Sequence, residues 1–187
     1  MASPDHHPPS WSRRGLCSLL AAGTATLIAR PALAGVTKVA SERRIKLINP
    51  HTGESLDTVY WIQGSYLPEV LDQVNFLLRD HHDGQVHQTD PALLDSLGRI
   101  RQHLGIRGPF EVVCGYRSPE TNAMLRQKSK SVAKNSYHVY GKAIDIRVSG
   151  VTTRDLHKAA LSLRAGGVGK YSKSKFVHID TGPVRSW

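Results

Sequence analysis

Residues 136–145 read Ser-Tyr-His-Val-Tyr-Gly-Lys-Ala-Ile-Asp, and residues 176–180 read Phe-Val-His-Ile-Asp. Both segments have the composition of strands or strand edges. Side chains alternate faces along a strand, so His178 and Asp180 share one face while Val177 and Ile179 share the other. In the earlier segment Asp145 is likewise opposed by its isoleucine neighbours. Each segment therefore predicts an apolar face for the core and a polar face for a cleft.

His138, Asp145 and His178 are candidate ligands of one zinc ion. Imidazole and carboxylate form three-ligand catalytic zinc sites, which keep a fourth position for water. Gly141 allows the chain to turn between His138 and Asp145, so that two ligands seven residues apart can converge. The alternative is a strand with ordinary polar residues facing solvent. A His-x6-Asp spacing alone is weak, but a later His-x-Asp on a second hairpin favours a metal site, with zinc first by ligand type.

Local signals outside these segments predict a chain that mixes strands and helices. Turn formers between two β-rich runs predict a first hairpin. Proline or capping residues open four helices, and Arg117 lies at a strand-to-helix corner of the kind that often holds functional side chains. The predicted strands are 45–48, 56–62, 110–115, 141–148, 168–171 and 176–180, and the predicted helices begin near Pro68, Asp90, Ser118 and Thr152.

Three other histidines and one cysteine are expected to have no role in a site. His51 lies among turn formers and is interpreted as a solvated loop residue. His81 and His82 follow a predicted helix, where basic residues suit the helix dipole and sequence neighbours point apart. Cys114 is expected to be a small buried hydrophobe.

Residues 1–34 have the features of an export signal. Arg13 and Arg14 precede an apolar run, and residues 31–34 offer the small-x-small pattern of a cleavage site. The run is shorter than the roughly 20 residues that span a bilayer. The paired arginines suggest the twin-arginine route and a periplasmic location; an uncleaved anchor or a buried helix is the alternative. Residues 35–44 are predicted to be a linker and residues 45–187 the catalytic domain.

The net charge of +10 favours polyanionic partners: nucleic acid, anionic membranes or cell-wall polymers. An exported protein meets the last two far more often than the first. We therefore expect no nucleic-acid binding, no stable membrane insertion after signal removal, and a monomer. Only Cys114 lies beyond the predicted signal, which excludes an intramolecular disulfide there.

The pattern Ser-x-His-x-x-Gly-x-Ala-x-Asp, followed by a later strand histidine, resembles the signature of the zinc D-alanyl-D-alanine peptidases. Their fold is shared with the hedgehog N-terminal domain. Gly-Tyr-Arg-Ser at 115–118 is similar to another element of that family. Residues 51–54, 163–169 and 176–183 resemble its YcbK-like branch in particular. The resemblance implies an α+β fold, with a small antiparallel sheet that carries a zinc cleft and is flanked by helices.

The resemblance also implies a hydrolase that cuts peptide cross-links of peptidoglycan. His138, Asp145 and His178 would be the zinc ligands and Arg117 would stabilise the oxyanion. Tyr137 would contact substrate, and Ser136 would orient either substrate or the His138 ring. Many relatives carry a glutamate three residues before the second zinc histidine, where this chain has Lys175. Asp180 is the candidate general base in its place, or else an anchor for a ligand; both interpretations stay open.

Other functions remain compatible with these residues. The missing glutamate is the motive for a non-catalytic peptidoglycan-binding module, and a D,D- or L,D-carboxypeptidase would use the same centre on stem peptides. A facial triad of an iron oxygenase also uses two histidines and a carboxylate, but there the His-x-Asp pair normally comes first. The residues do not distinguish a D-alanine–diaminopimelate cross-link from a diaminopimelate–diaminopimelate one.

Overall fold

The structure is a computed structural model that describes residues 41–130 and 132–187. The predicted signal peptide and most of the predicted linker lie outside the described residues. The first strand begins at Glu42, three residues before the predicted domain boundary. None of the helices in the described part has the length and apolar character needed to cross a membrane.

Eight strands and four helices follow one another along the described chain. The prolines at 68, 91 and 119 each open a helix, where a missing N–H costs nothing. In order, the elements are β1 Glu42–Ile48, β2 Ser55–Ile62, β3 Ser65–Tyr66, α1 Pro68–Leu77, α2 Pro91–Leu104, β4 Phe110–Cys114, α3 Pro119–Lys128, a 3₁₀ helix Tyr137–Tyr140, β5 Ala143–Val148, α4 Thr153–Ser162, β6 Gly167–Tyr171, β7 Phe176–Asp180 and β8 Arg185–Ser186.

The predicted helix starts and both predicted hairpins are confirmed. Asp90 caps α2 by accepting from the Ala92 N–H, and Ser118 caps α3 by accepting from the Thr121 N–H. β1 pairs with β2, and β6 with β7, in antiparallel register. Two local predictions were wrong. The chain around His138 is a 3₁₀ helix and no strand, and α4 ends at Ser162 instead of continuing to residue 165.

The prediction of a small antiparallel sheet was also wrong, although the α+β class is confirmed. The described strands form one sheet of eight, in the order β3-β2-β1-β4-β5-β7-β6-β8. β1 runs parallel to β4 and β6 parallel to β8, so the sheet is mixed. Hydrophobic alternation predicts strands but carries no information on which strands pair over long sequence distances, and the parallel pairs were missed for that reason.

One face of the sheet packs against α1, α2 and α4, which contact its strands from β2 across to β6. The core between them includes the apolar positions of the two segments first quoted: Ile144, Ile146, Val177 and Ile179 are at most 4% exposed. Burying each such side chain stabilises the fold by about 1.5–3 kcal/mol. The alternation along β5 and β7 therefore turns the intervening polar residues to the opposite face, where the candidate site lies.

Candidate metal centre

Strands β5 and β7 place two of the predicted ligands directly opposite each other. Asp145 and His178 are partners in the antiparallel register of these strands. Cross-strand partners have Cβ atoms about 4.5–5.5 Å apart, so their side chains meet without any loop having to move. Both are buried, at 6% and 7% exposure, although they lie on the face away from the main core.

The third predicted ligand comes from the 3₁₀ helix just before β5. This helix ends at Gly141, whose φ of 64° is in the left-handed region that favours glycine. A side chain there would also collide with the carbonyl oxygen of Gln88. The tight turn brings His138, at 3% exposure, over the middle of the sheet beside Asp145. Gly141 was predicted to make this turn, and that is confirmed.

Three ligand atoms converge on one point. His138 Nε2 lies 3.3 Å from Asp145 Oδ1, and His178 Nδ1 lies 2.9 Å from the same oxygen. The two ring nitrogens are 3.2 Å apart. The two histidines and the carboxylate, drawn from a turn and two strands, therefore form one compact cluster.

The outer edge of each imidazole is held by a hydrogen-bond acceptor. His138 Nδ1 lies 2.7 Å from the carbonyl oxygen of Gly115, and His178 Nε2 lies 3.0 Å from Asp180 Oδ2. Since a carbonyl and a carboxylate only accept, both outer nitrogens carry the proton. The two inner nitrogens then face each other and a carboxylate oxygen, so that all three atoms can bind one cation or share a proton. Orientation of metal-bound histidines by such outer acceptors is typical of metal sites.

The donor set fits a zinc ion by size and by charge. Ligands about 2.0–2.1 Å from a tetrahedral ion lie about 3.3 Å from each other, close to the observed separations. Burial, the largest single effect, lowers the pKa of His138, but Asp145 and Cys114 together outweigh it and the net pKa is raised. The pKa of Asp145 is lowered despite its burial, because of the two histidines. The cluster thus attracts positive charge, whether a proton or a metal ion.

Asp180 is enclosed by donors on all sides. Its Oδ1 accepts from the Gly167 and Gly182 N–H groups, at 3.1 and 2.9 Å, and its Oδ2 accepts from Arg185 at 2.7 Å as well as from His178. Burial raises its pKa, but the His178 and Arg185 hydrogen bonds outweigh that and lower the net pKa. It contacts His178 through the ring edge away from the cluster. Asp180 is therefore placed to orient the ring.

Arg117 lies beside the cluster, at the predicted corner between β4 and α3. Its side chain donates to Asn122 Oδ1 over a long 3.4 Å and to Cys114 Sγ at 3.4 Å, an ordinary distance for sulfur. Its Nε is buried without a hydrogen-bond partner, and it forms no ion pair with any carboxylate of the described residues. A half-buried guanidinium in this state is available to an anion.

A groove of about 520 Å³ runs over the cluster and is lined by every predicted site residue except Asp180. Ser136 and Tyr137 form part of its wall. The Tyr137 ring covers Gly182, where a Cβ would collide with it, and lies 5.0 Å from the Arg185 guanidinium. On the far side Trp187 lies 5.2 Å from the His178 ring.

Cys114 was interpreted wrongly from the sequence. It is partly exposed, it pairs with Asp145 across β4 and β5, and its sulfur lies within 4.8 Å of the His138 and Asp145 ligand atoms. Its position on a strand edge was visible in the sequence. The pairing of that strand with β5 was not, because strand neighbours are a tertiary property.

His51 is an exposed turn residue, as predicted. The predicted helix end beside His81 and His82 was wrong, because α1 already ends at Leu77. The rings of His81 and His82 are 4.2 Å apart, and His51 stacks on His81 at 4.2 Å with the planes 2° from parallel. No local signal predicts this, since His51 is some thirty residues away in the chain.

The chain matches a family model over residues 37–187, Peptidase_M15_2, described as peptidoglycan L,D-endopeptidase MepK. The peptidoglycan L,D-endopeptidase MepK of Escherichia coli K12 is 43% identical over 178 residues, covering 94% of this chain and 97% of the relative. The probable peptidoglycan L,D-endopeptidase MepK of Haemophilus influenzae is 48% identical over 140 residues, or 74% of this chain and 75% of the relative. No solved structure matches the chain.

A buried cluster of two histidines and a carboxylate on the open face of a mixed sheet is the kind of site that metal-dependent hydrolases use. The match over four fifths of the chain shows that it belongs to the Peptidase_M15_2 family of peptidases, the MepK family. The resemblance noted in the sequence is therefore confirmed.

Proposed function

We propose that this protein is a zinc-dependent L,D-endopeptidase that hydrolyses diaminopimelate–diaminopimelate cross-links of peptidoglycan. The observation that carries the proposal is the convergence of two imidazole nitrogens and one carboxylate oxygen, while the other nitrogen of each ring is hydrogen-bonded to an acceptor. The relatives' names supply the substrate class and the L,D specificity. A cross-link between D-alanine and diaminopimelate would be a D,D bond.

His138, Asp145 and His178 would hold the zinc ion. When bound, zinc acidifies a water molecule and polarises a carbonyl group. The chain's own contribution is orientation and charge. Gly115 and Asp180 fix the two imidazole rings, so the site does not need to reorganise when substrate arrives.

Arg117 is assigned to the developing oxyanion of the scissile carbonyl. Its guanidinium lines the same groove as the ligands and has no carboxylate partner among the described residues. A preorganised donor of this kind contributes most when it is shielded from water. Ser136 and Tyr137, on the groove wall, are assigned to substrate contact.

Of the two roles left open for Asp180, the contacts favour the anchor over the general base. Five hydrogen bonds occupy its two oxygens, and the His178 ring stands between it and the convergent ligand atoms. A base must reach the proton that it accepts, directly or through one water.

Replacing His138 with alanine tests the metal proposal. We expect loss of zinc retention, measured by metal analysis after dialysis, and loss of cleavage products from purified sacculi. His103→Ala, an exposed histidine on α2, is the matched control and should retain both. Full activity of His138→Ala would refute the metal centre, and iron in place of zinc would favour an oxygenase.

Mass analysis of the released muropeptides tests the bond specificity. An L,D-endopeptidase removes diaminopimelate–diaminopimelate dimers, creates new amine ends and leaves D-alanine–diaminopimelate dimers intact. Trimming of stem peptides without loss of dimers would identify a carboxypeptidase instead. Binding to sacculi without any new amine end would identify a binding module.

The location proposed is the periplasm, with export by the twin-arginine route. It is supported by the signal features of residues 1–34 and by a substrate that lies outside the cytoplasm. Fractionation of cells with and without the twin-arginine translocase tests the route. Periplasmic protein in cells that lack the translocase would refute it.

A further inference from the structure

The groove of about 520 Å³ over the ligand cluster is called the metal groove below. A second cavity of about 260 Å³ adjoins it. We name it the histidine pocket, after His51, His81 and His82, which line it. Arg117, Asp145 and Phe176 line both the pocket and the metal groove. A group bound in the histidine pocket therefore lies next to the metal centre.

The ring geometry of the pocket is wrong for a metal ion. His51 and His81 are stacked with planes 2° from parallel and centroids 4.2 Å apart. The lone pairs of an imidazole lie in the plane of its ring, and two parallel planes do not meet at one ion. His51 Nε2 is in addition 3.2 Å from the Val113 carbonyl oxygen, so this nitrogen carries a proton.

The donors that line the pocket can bind an anion: Arg117 carries a permanent positive charge, and the His51, His81 and His82 rings offer further N–H groups. Burial is the main cause that lowers the pKa of His81, and repulsion from His51, His82 and Arg117 adds to it, against an opposing effect of Asp80. His81 is therefore a neutral ring that can offer an N–H donor but no charge.

The pocket also contains two carboxylates. Both oxygens of Asp80 already accept from N–H groups, of His82 at 2.9 Å and of Ser118 at 2.8 Å, and Asp145 would be a zinc ligand.

The Arg117 guanidinium completes the set of donors. It has five N–H groups in a planar fork that matches a carboxylate. Among the described residues its side chain donates to Asn122 Oδ1 and to Cys114 Sγ, which leaves further N–H groups for a ligand. It can therefore direct one edge toward the metal groove and another toward the histidine pocket.

We propose that the histidine pocket binds a free carboxylate of the substrate, the one on the carbon next to the scissile nitrogen. This inference rests on the proposed function. In a diaminopimelate–diaminopimelate L,D cross-link, the amine side carries such a carboxylate one carbon from the bond that is cut. A pocket that shares Arg117 and Asp145 with the metal groove is at the right place for a group this close to the scissile bond.

Binding of the amine-side product tests the pocket without relying on catalysis. The probe is the stem tripeptide that ends in diaminopimelate, with the carboxylate next to the reactive amine either free or converted to a carboxamide. Calorimetry on the zinc-loaded protein should show about tenfold tighter binding of the free acid, since a charge-assisted hydrogen bond is worth that much. A tripeptide amidated at the other diaminopimelate carboxylate should bind like the free acid.

His81→Phe keeps the ring stacking and removes the N–H donors. We expect it to weaken binding of the free acid about tenfold and to leave binding of the carboxamide unchanged. His103→Phe on α2 is the matched control and should retain the preference. His51→Gln serves as a second variant should His81→Phe fail to fold. Equal binding of acid and carboxamide by the unaltered protein, or a preference that survives in the folded pocket variant, would overturn the proposal.

Parallel assay of a cross-linked dimer separates the two proposals. If the protein hydrolyses the dimer but binds the free-acid and carboxamide tripeptides equally, the histidine-pocket proposal alone is rejected. A preference for the acid without hydrolysis supports the pocket and rejects the endopeptidase.

Discussion

Two arginines flank the metal centre, and their surroundings are opposite. Arg185 binds the carboxylate of Asp180 through two nitrogens, at 3.0 and 2.7 Å, and that carboxylate in turn holds His178. Arg117 has no carboxylate partner within the described chain and keeps a buried Nε without a hydrogen bond. An arginine that is paired with a carboxylate, such as Arg185, stabilises the site. An arginine without such a partner, such as Arg117, is available to bind substrate. The comparison therefore divides the centre into a supporting side and a reacting side.

Among the substitutions that test this comparison, we expect the largest loss of activity at Arg117. Arg117→Ala should lower kcat by about 10²–10³-fold, the usual cost of removing an oxyanion donor, while zinc content and stability stay unchanged. Steady-state kinetics on a cross-linked muropeptide and metal analysis measure the two quantities. Arg99→Ala, an exposed arginine on α2, is the matched control. A loss of zinc or of folded protein in Arg117→Ala would place Arg117 on the supporting side instead.

The next effect concerns the supporting side. Asp180→Asn should weaken zinc affinity about 10–100-fold, because the His178 ring loses its charged acceptor. Hydrolysis should recover when zinc is supplied in excess. Competition with a chelator measures the affinity, and the rate at saturating zinc measures catalysis. Unchanged zinc affinity with a collapsed kcat would instead identify Asp180 as the general base.

A smaller effect, on stability, is expected at Asp80. Its carboxylate accepts a hydrogen bond from the N–H of Ser118, the residue after Arg117 on the reacting side. Asp80→Asn should lower the free energy of unfolding at pH 7 by about 1–3 kcal/mol, since a buried charged acceptor is lost. Denaturant unfolding at two pH values measures it.

The pH dependence of this effect follows from the pKa of Asp80. Burial raises it, but the His82 and Ser118 N–H groups outweigh burial, and the net pKa is below the ordinary value of 3.8. A carboxyl group with a lowered pKa contributes stability above its unfolded pKa and loses it as the pH falls through the folded one. The difference between Asp80→Asn and the unaltered protein should therefore shrink below about pH 4. A difference that stays constant down to pH 2 would contradict this account.

The sequence by itself determined the local elements and the ligand candidates. Period-2 alternation assigned His178 and Asp180 to the polar face of β7, and proline and capping residues located the helix starts, because these signals depend on a few neighbouring residues. Gly141 indicated the turn that brings His138 back over the sheet. The role of Asp180 stayed open because its donors, from Gly167 to Arg185, are gathered only by folding.

Only the tertiary structure decided how distant segments meet. The pairing of β4 with β5 brings Cys114 to the metal ligands, and the approach of two loops stacks His51 on His81. Folding also leaves Arg117 without a carboxylate partner among the described residues. These features depend on strand order and on contacts between residues far apart in the chain, where no periodic pattern of side chains records which surfaces will touch.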